Sequence, residues 1–252
     1  MILLAVLALA YSAPAKLSPQ FIISAPVGDA ASASLELEAK NSRGEIEHFF
    51  GRPYTSPVNV TIVSSRTDFD AAMPAAWGIR PSQCWMVGVG VYDRMIMLSP
   101  TAWARNACDH RPDDVDEAKT IMRHELTHVI HGQYNPTHDF TGMDDAAWFV
   151  EGLATYVSGQ LDEKRLARAQ QALNAGQGPG KLAQAWSGKE KYGFAGSMVA
   201  YLDHTYGRKR LVELLDELST AGIMKELDTT EPEFLAGWST WLKAKKSGPT
   251  HQ

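Results

Sequence analysis

The chain has 252 residues, 44% of them hydrophobic and 21% charged, and a formal net charge of -5. That supplies one sizeable core, or two small lobes sharing a cleft. No basic run points to nucleic acid, and no stretch is long and apolar enough to span a bilayer.

The N-terminus reads MILLAVLALAYSAPAKLSP. Residues 2–10 form an unbroken apolar run, and the Ala-Pro-Ala at 13–15 has the spacing of a signal-peptidase site. No charge precedes the run. The expectation is an export signal over residues 1–15, a buried N-terminal strand or helix being the alternative. No cysteine near the cleavage site suggests a lipid anchor. The mature chain is then periplasmic or secreted. Its two cysteines, Cys84 and Cys108, suggest a disulfide in an exported protein; in a reducing compartment they are two buried thiols.

In chain order, residues 29–50 read as a helix and 51–57 as a loop. VNVTIV at 58–63 alternates and is β-branched, so it reads as a strand. Residues 68–77 predict a short helix interrupted at Pro74. Residues 84–91 and 94–98 read as two strands joined at Tyr92 and Asp93. From about Asp113 the character changes. Residues 113–132 carry acids at the start and Gly132 at the end, the punctuation of a helix. A loop follows, then helices over 144–159, 163–176, 190–207, 208–218 and 231–245, with a Gly-rich linker at 176–181. The lysines near Lys243 read as a solvated helix end. The expected fold class is α+β: a small mixed α/β N-terminal lobe over 16–110, then a mainly helical lobe over 111–252.

The chemistry concentrates in RHELTHVIHG, residues 123–132. Residues four apart share a helix face, so His124 and His128 point the same way. Glu125 sits about 100° round the axis from His124. Met122, Leu126, Val129 and Ile130 fall on the opposite side, to be buried. A zinc site of this kind wants a third protein ligand and an open fourth position. His131 lies on the same helix, and one straight helix cannot wrap three ligands around an ion. The metzincin pattern needs Gly at 131 and His at 134, where this chain has His131 and Tyr134. His138 sits in a loop with nothing around it to support the role. Both read as ordinary surface histidines. Glu151, in AWFVEGLATY, has Trp148, Phe149, Val150 and Leu153 as neighbours. A carboxylate in such a setting must be paired or bind a cation; the other reading is a helix-surface glutamate.

HELTH followed by WFVEGLATY resembles the gluzincins, most of all the peptidase MA-like group, zinc metallopeptidases related to thermolysin and the large aminopeptidases. The resemblance covers the stretch from 123 to 156. It implies one zinc ion held by His124, His128 and Glu151 in the cleft between the lobes, with Glu125 as general base. Tyr192, in EKYGFAGSMVAYL, is similar to the tyrosine that opens a later helix in these proteins. It either donates to the oxyanion or only packs. Tyr156 and Tyr201 read as core. The resemblance also implies an edge strand that binds extended peptide, and residues 94–98 could serve; Met95 and Met97 could equally be core.

The GxMEN-type stretch of the large aminopeptidases is absent, which favours an endopeptidase. The expected partner is a peptide or protein substrate, with no nucleic acid and no membrane span in the mature chain. Two rival readings are a non-catalytic binding or scaffold protein on the same fold, which an intact Glu125 argues against, and a zinc hydrolase of a non-peptide amide. Oligomeric state is not legible.

Overall fold

A computed structural model of the protein describes residues 20–78, 80–111 and 114–245. The expected export signal lies outside the described residues. The first part holds β1 (Phe21–Ser24), α1 (Ser32–Phe50), β2 (Val58–Val63), α2 (Arg66–Ala72), β3 (Gly88–Val91), β4 (Arg94–Leu98) and α3 (Trp103–Asn106). The second is helical: α4 (Val115–Tyr134), α5 (Ala147–Val157), α6 (Glu163–Asn174), α7 (Lys191–Tyr206), α8 (Arg208–Glu213), α9 (Thr220–Glu226) and α10 (Glu231–Ala244). The fold is therefore α+β, a small sheet-bearing part followed by a mainly helical one.

The sheet has the order β1-β2-β4-β3. β1, β2 and β4 are parallel, and β3 runs antiparallel along the outside of β4. In β2 the alternation is visible: Val58, Val60 and Ile62 are buried while Asn59 is exposed. α4 packs on β3 and β4, on α1, and on α5, so it is shared by both parts of the molecule. One cluster of buried hydrophobic side chains runs from Leu35 of α1 to Leu242 of α10. α5 packs on α7. At Gly152 of α5 an added Cβ would meet the Ala195 carbonyl oxygen at 2.5 Å, so only glycine permits this approach.

Several elements depart from the sequence expectation. Only residues 88–91 of the 84–91 run form a strand. The Cys84 and Met86 carbonyls accept from the Arg66 guanidinium instead of joining the ladder. Residues 94–98 are not an edge strand: β4 is flanked by β2 and β3, and Met95 and Met97 are fully buried. The edge belongs to β3. The 208–218 helix stops early because the Leu215 and Glu217 carbonyls accept from the Asn135 side chain, at 3.1 and 3.2 Å. β1 and α9 have no counterpart in the sequence reading.

α4 runs past Gly132 because tertiary partners hold its last turn. The Tyr134 hydroxyl donates to the Pro53 carbonyl at 2.7 Å. The buried Gln133 side chain accepts from the Thr55 and Ser56 N–H groups, at 2.6 and 3.0 Å, and donates to the Tyr92 carbonyl at 2.9 Å. This amide pins α4 to two loops of the sheet-bearing part. Gln133→Leu leaves those backbone groups unpaired and should lower stability by about 2–3 kcal/mol. Urea unfolding of the variant checks this; an unchanged midpoint would show that the fastening lies elsewhere.

Candidate active site and metal centre

α4 begins in good order. The Asp114 side chain caps it by accepting from the Glu117 N–H at 2.9 Å, and Asp116 and Glu117 occupy its positive first turn. Two turns on, the helix is covered nearly all round, its histidine face included. His124 and His128 are each only 7% exposed. Their Nε2 atoms face each other at 3.1 Å. At that separation their lone pairs repel unless a proton or a cation lies between them.

α5 supplies the third group. Glu151 Oε2 lies 3.4 Å from His124 Nε2 and 3.5 Å from His128 Nε2. A tetrahedral zinc with bonds of about 2.0–2.2 Å spaces its ligand atoms roughly 3.3–3.6 Å apart. Both carboxylate distances fall in that range and the imidazole pair lies just below it, so the three donors could together hold a metal ion. The cluster is closed on the protein side. The Glu151 side chain is 29% exposed against 8% and 9% for the imidazoles, so it is the most solvent-accessible of the three. The Nδ1 atoms of both rings are buried with no hydrogen-bond partner among the described residues.

The charges reinforce one another. Burial alone would raise the Glu151 pKa, but the His128 charge and hydrogen bonds from both imidazoles hold it well below the ordinary carboxylate range. Burial lowers the His128 pKa, yet Glu151 and Glu125 outweigh it and raise the net value. Glu125 is raised, chiefly by burial, against the opposing charges of His124 and His128.

Glu125 is also placed by β3, a contribution the sequence reading missed. The Gly90 backbone stands beside its carboxylate and favours the ionised form. A Cβ at Gly90 would lie 2.0 Å from the Glu125 carbonyl oxygen, and one at Gly88 2.8 Å from Glu125 Cγ. The signal was present as two glycines at period two in GVGV. Since the Leu98 N–H bonds the Val87 carbonyl at 2.8 Å, antiparallel alternation turns the Gly88 and Gly90 backbone groups away from β4.

Tyr192, in the first turn of α7, lines the same cleft as His124, Glu125 and Gly88. Burial, then the Glu151 and Glu125 charges, push its pKa up to about 12. Its phenol is a hydrogen-bond donor at neutral pH.

The other candidates stand apart. His138 is exposed; its Nδ1 pairs with the Gly132 carbonyl oxygen at 2.8 Å, and its ring stacks on Tyr92. His131 is not a surface residue. It is fully buried between Phe140 and Phe149, outside the ligand group. Tyr201 packs on Phe234 and Trp241, and the half-buried Tyr156 donates to Asp203 at 2.8 Å.

The sequence model of the peptidase M9 family, described as collagenase, matches residues 110–207. That stretch runs from just before α4 to the end of α7. The chain is a zinc metallopeptidase. Its cofactor is a single zinc ion. A search of curated proteins finds no match.

His131 gives this metallopeptidase a titratable core. Burial, then the nearby His128 charge, lower its pKa from 6.5 to about 3. The folded state keeps it neutral while the unfolded chain takes up a proton below 6.5. Its contribution is therefore complete above that pH and is lost as pH falls toward 3. Between neutral pH and about pH 5 the wild type should lose about 2 kcal/mol more than His131→Leu. Denaturant unfolding at the two pH values measures the difference; parallel losses would contradict the assignment.

Proposed function

We propose that the protein is an exported zinc endopeptidase of the gluzincin type, with His124, His128 and Glu151 as metal ligands, Glu125 as general base and Tyr192 as oxyanion donor. One observation carries the reading: three donor atoms within 4.8 Å of one another, two from α4 and one from α5, with a carboxylate of raised pKa on the next residue of α4. The collagenase-family likeness over residues 110–207 supports a protein substrate. The Cys84–Cys108 disulfide and the apolar run at residues 2–10 support export.

When bound, zinc supplies the Lewis acidity that activates a water and polarises the scissile carbonyl. Glu125 takes the proton of the attacking water on its carboxylate. Its burial raises its proton affinity, and the close approach of Gly88 and Gly90 confines its side chain. The same carboxylate returns the proton to the leaving amine nitrogen. The Tyr192 hydroxyl donates to the oxygen on which charge develops. The outward-facing backbone groups of Gly88 and the Gly90 carbonyl offer an extended peptide an edge to pair with, directly beside the base. The cleft measures about 940 Å³ and takes its walls from the β3 approach, α4 and the start of α7. A cleft of this volume, lined by His124 and Glu125, has room for residues of a peptide beside the bond to be cut.

Cleavage of a diverse peptide library by the zinc-loaded mature chain tests the reading. Internal cuts are expected. Glu125→Gln should reduce them by about two to four orders of magnitude while zinc remains bound, and Tyr192→Phe by roughly a hundredfold or more through kcat. Cuts only at the first residue would overturn the endopeptidase assignment. A fully active Glu125→Gln protein would overturn the mechanism.

A further inference from the structure

The cleft is rich in charge, and most of that charge is matched within the protein. Arg111 pairs with Asp114, and Arg165 with Asp162 at 3.6 Å. Lys119 lies 3.5 Å from Asp116, and His110 lies 2.9 Å from Glu117. Lys191 differs. It lines the cleft next to Tyr192, and among the described residues no carboxylate lies in ion-pair range of it.

Aromatic rings hold it instead. Its Nζ lies 4.6 Å from the ring centre of Trp186, 5.3 Å from that of Tyr192 and 5.8 Å from that of Trp85. Ring faces attract an ammonium through their quadrupole and engage none of its N–H groups as an oxygen acceptor would. The charge is thus positioned while its donors stay available. Trp85 stands on the opposite wall and is 46% exposed. That wall is fixed: Cys84 is bonded to Cys108, and His110 bonds the Trp85 carbonyl at 2.8 Å. Lys191 therefore reaches across the path of a bound chain.

The backbone adds to the field. Lys191 is the first residue of the 16-residue α7, which has no side-chain cap and no acid in its first turn. The acidic residue before it, Glu190, is engaged by Arg168 at 3.4 Å. The positive end of the helix dipole and the lysine charge coincide.

We propose that Lys191 is a specificity-determining residue that binds a carboxylate of the substrate, either an acidic side chain or a free C-terminus, in the cleft beside Tyr192. The assignment rests on the peptidase reading above. An approaching carboxylate accepts from the Lys191 ammonium without displacing a partner among the described residues, and the rings keep the ammonium in place for it. The substrate carbonyl next to the cut then lies within the reach of Tyr192, the neighbour of Lys191 on α7.

The test uses peptides of matched sequence with Glu or Gln at each position, made as free acids and as C-terminal amides. They are cut by the zinc-loaded wild type, Lys191→Met and Lys191→Arg, and their binding to zinc-loaded Glu125→Gln, with and without Lys191→Met, is followed by fluorescence anisotropy. The wild type should favour Glu over Gln at one fixed position, or acid over amide, by about tenfold, the size of one charge-assisted hydrogen bond. The first result identifies a side chain as the source, the second a chain end. Lys191→Met should bring the ratio close to one, and Lys191→Arg should keep most of it. Efficient wild-type cleavage without carboxylate preference, or a preference that survives Lys191→Met, overturns the proposal. If no peptide is cut, the peptidase reading fails separately. Carboxylate-dependent binding lost in Lys191→Met would still uphold the lysine's role, and binding indifferent to the carboxylate would overturn it.

Discussion

Two imidazole nitrogens 3.1 Å apart in a buried setting, with a carboxylate oxygen within 3.5 Å of both, form the constraint on which the rest of the molecule depends. Each group loses hydration when buried, and none alone recovers it. A shared cation would offset all three losses at once. α4 brings two imidazoles at a spacing of four, and α5 returns along it to bring the carboxylate. Loss of Gly152 would push α5 from α7, and with it the carboxylate from the imidazoles.

The sheet serves the same constraint from the other side. Its outer strand lies so close to α4 that Gly90 has no room for a side chain. That closeness sets Glu125 against the strand that borders the cleft. α4 is in turn pinned to the sheet-bearing loops by Gln133 and Tyr54, whose hydroxyl donates to the Leu126 carbonyl at 3.0 Å.

Much of this was legible in the sequence. Spacing of four between His124 and His128 implies one helix face whatever the fold. Apolar neighbours around Glu151 imply a carboxylate in need of a partner. The long helices and β2 follow from periodicity, and Cys84 and Cys108 do form a disulfide. What escaped depends on contacts distant in sequence. The 84–91 run looks like a strand throughout, yet Arg66 takes two of its carbonyls. Whether 94–98 is an edge or an interior strand depends on where β3 is laid, which local pattern does not encode. His131 looked like a surface histidine, but Phe140 and Phe149 enclose it, and neither is its neighbour in sequence. Of the three rings about Lys191, Trp186 and Tyr192 are near it in sequence, but Trp85 comes from a distant stretch of chain.

The most direct test of the central claim is the zinc K-edge absorption spectrum of the purified, zinc-loaded chain, with metal content measured alongside. The account predicts one zinc per chain, bound by two imidazole nitrogens and a carboxylate oxygen at about 2.0–2.2 Å, with the imidazole signature lost when His124 and His128 are both replaced. An all-oxygen shell, or a metal content unchanged in that double variant, would contradict it.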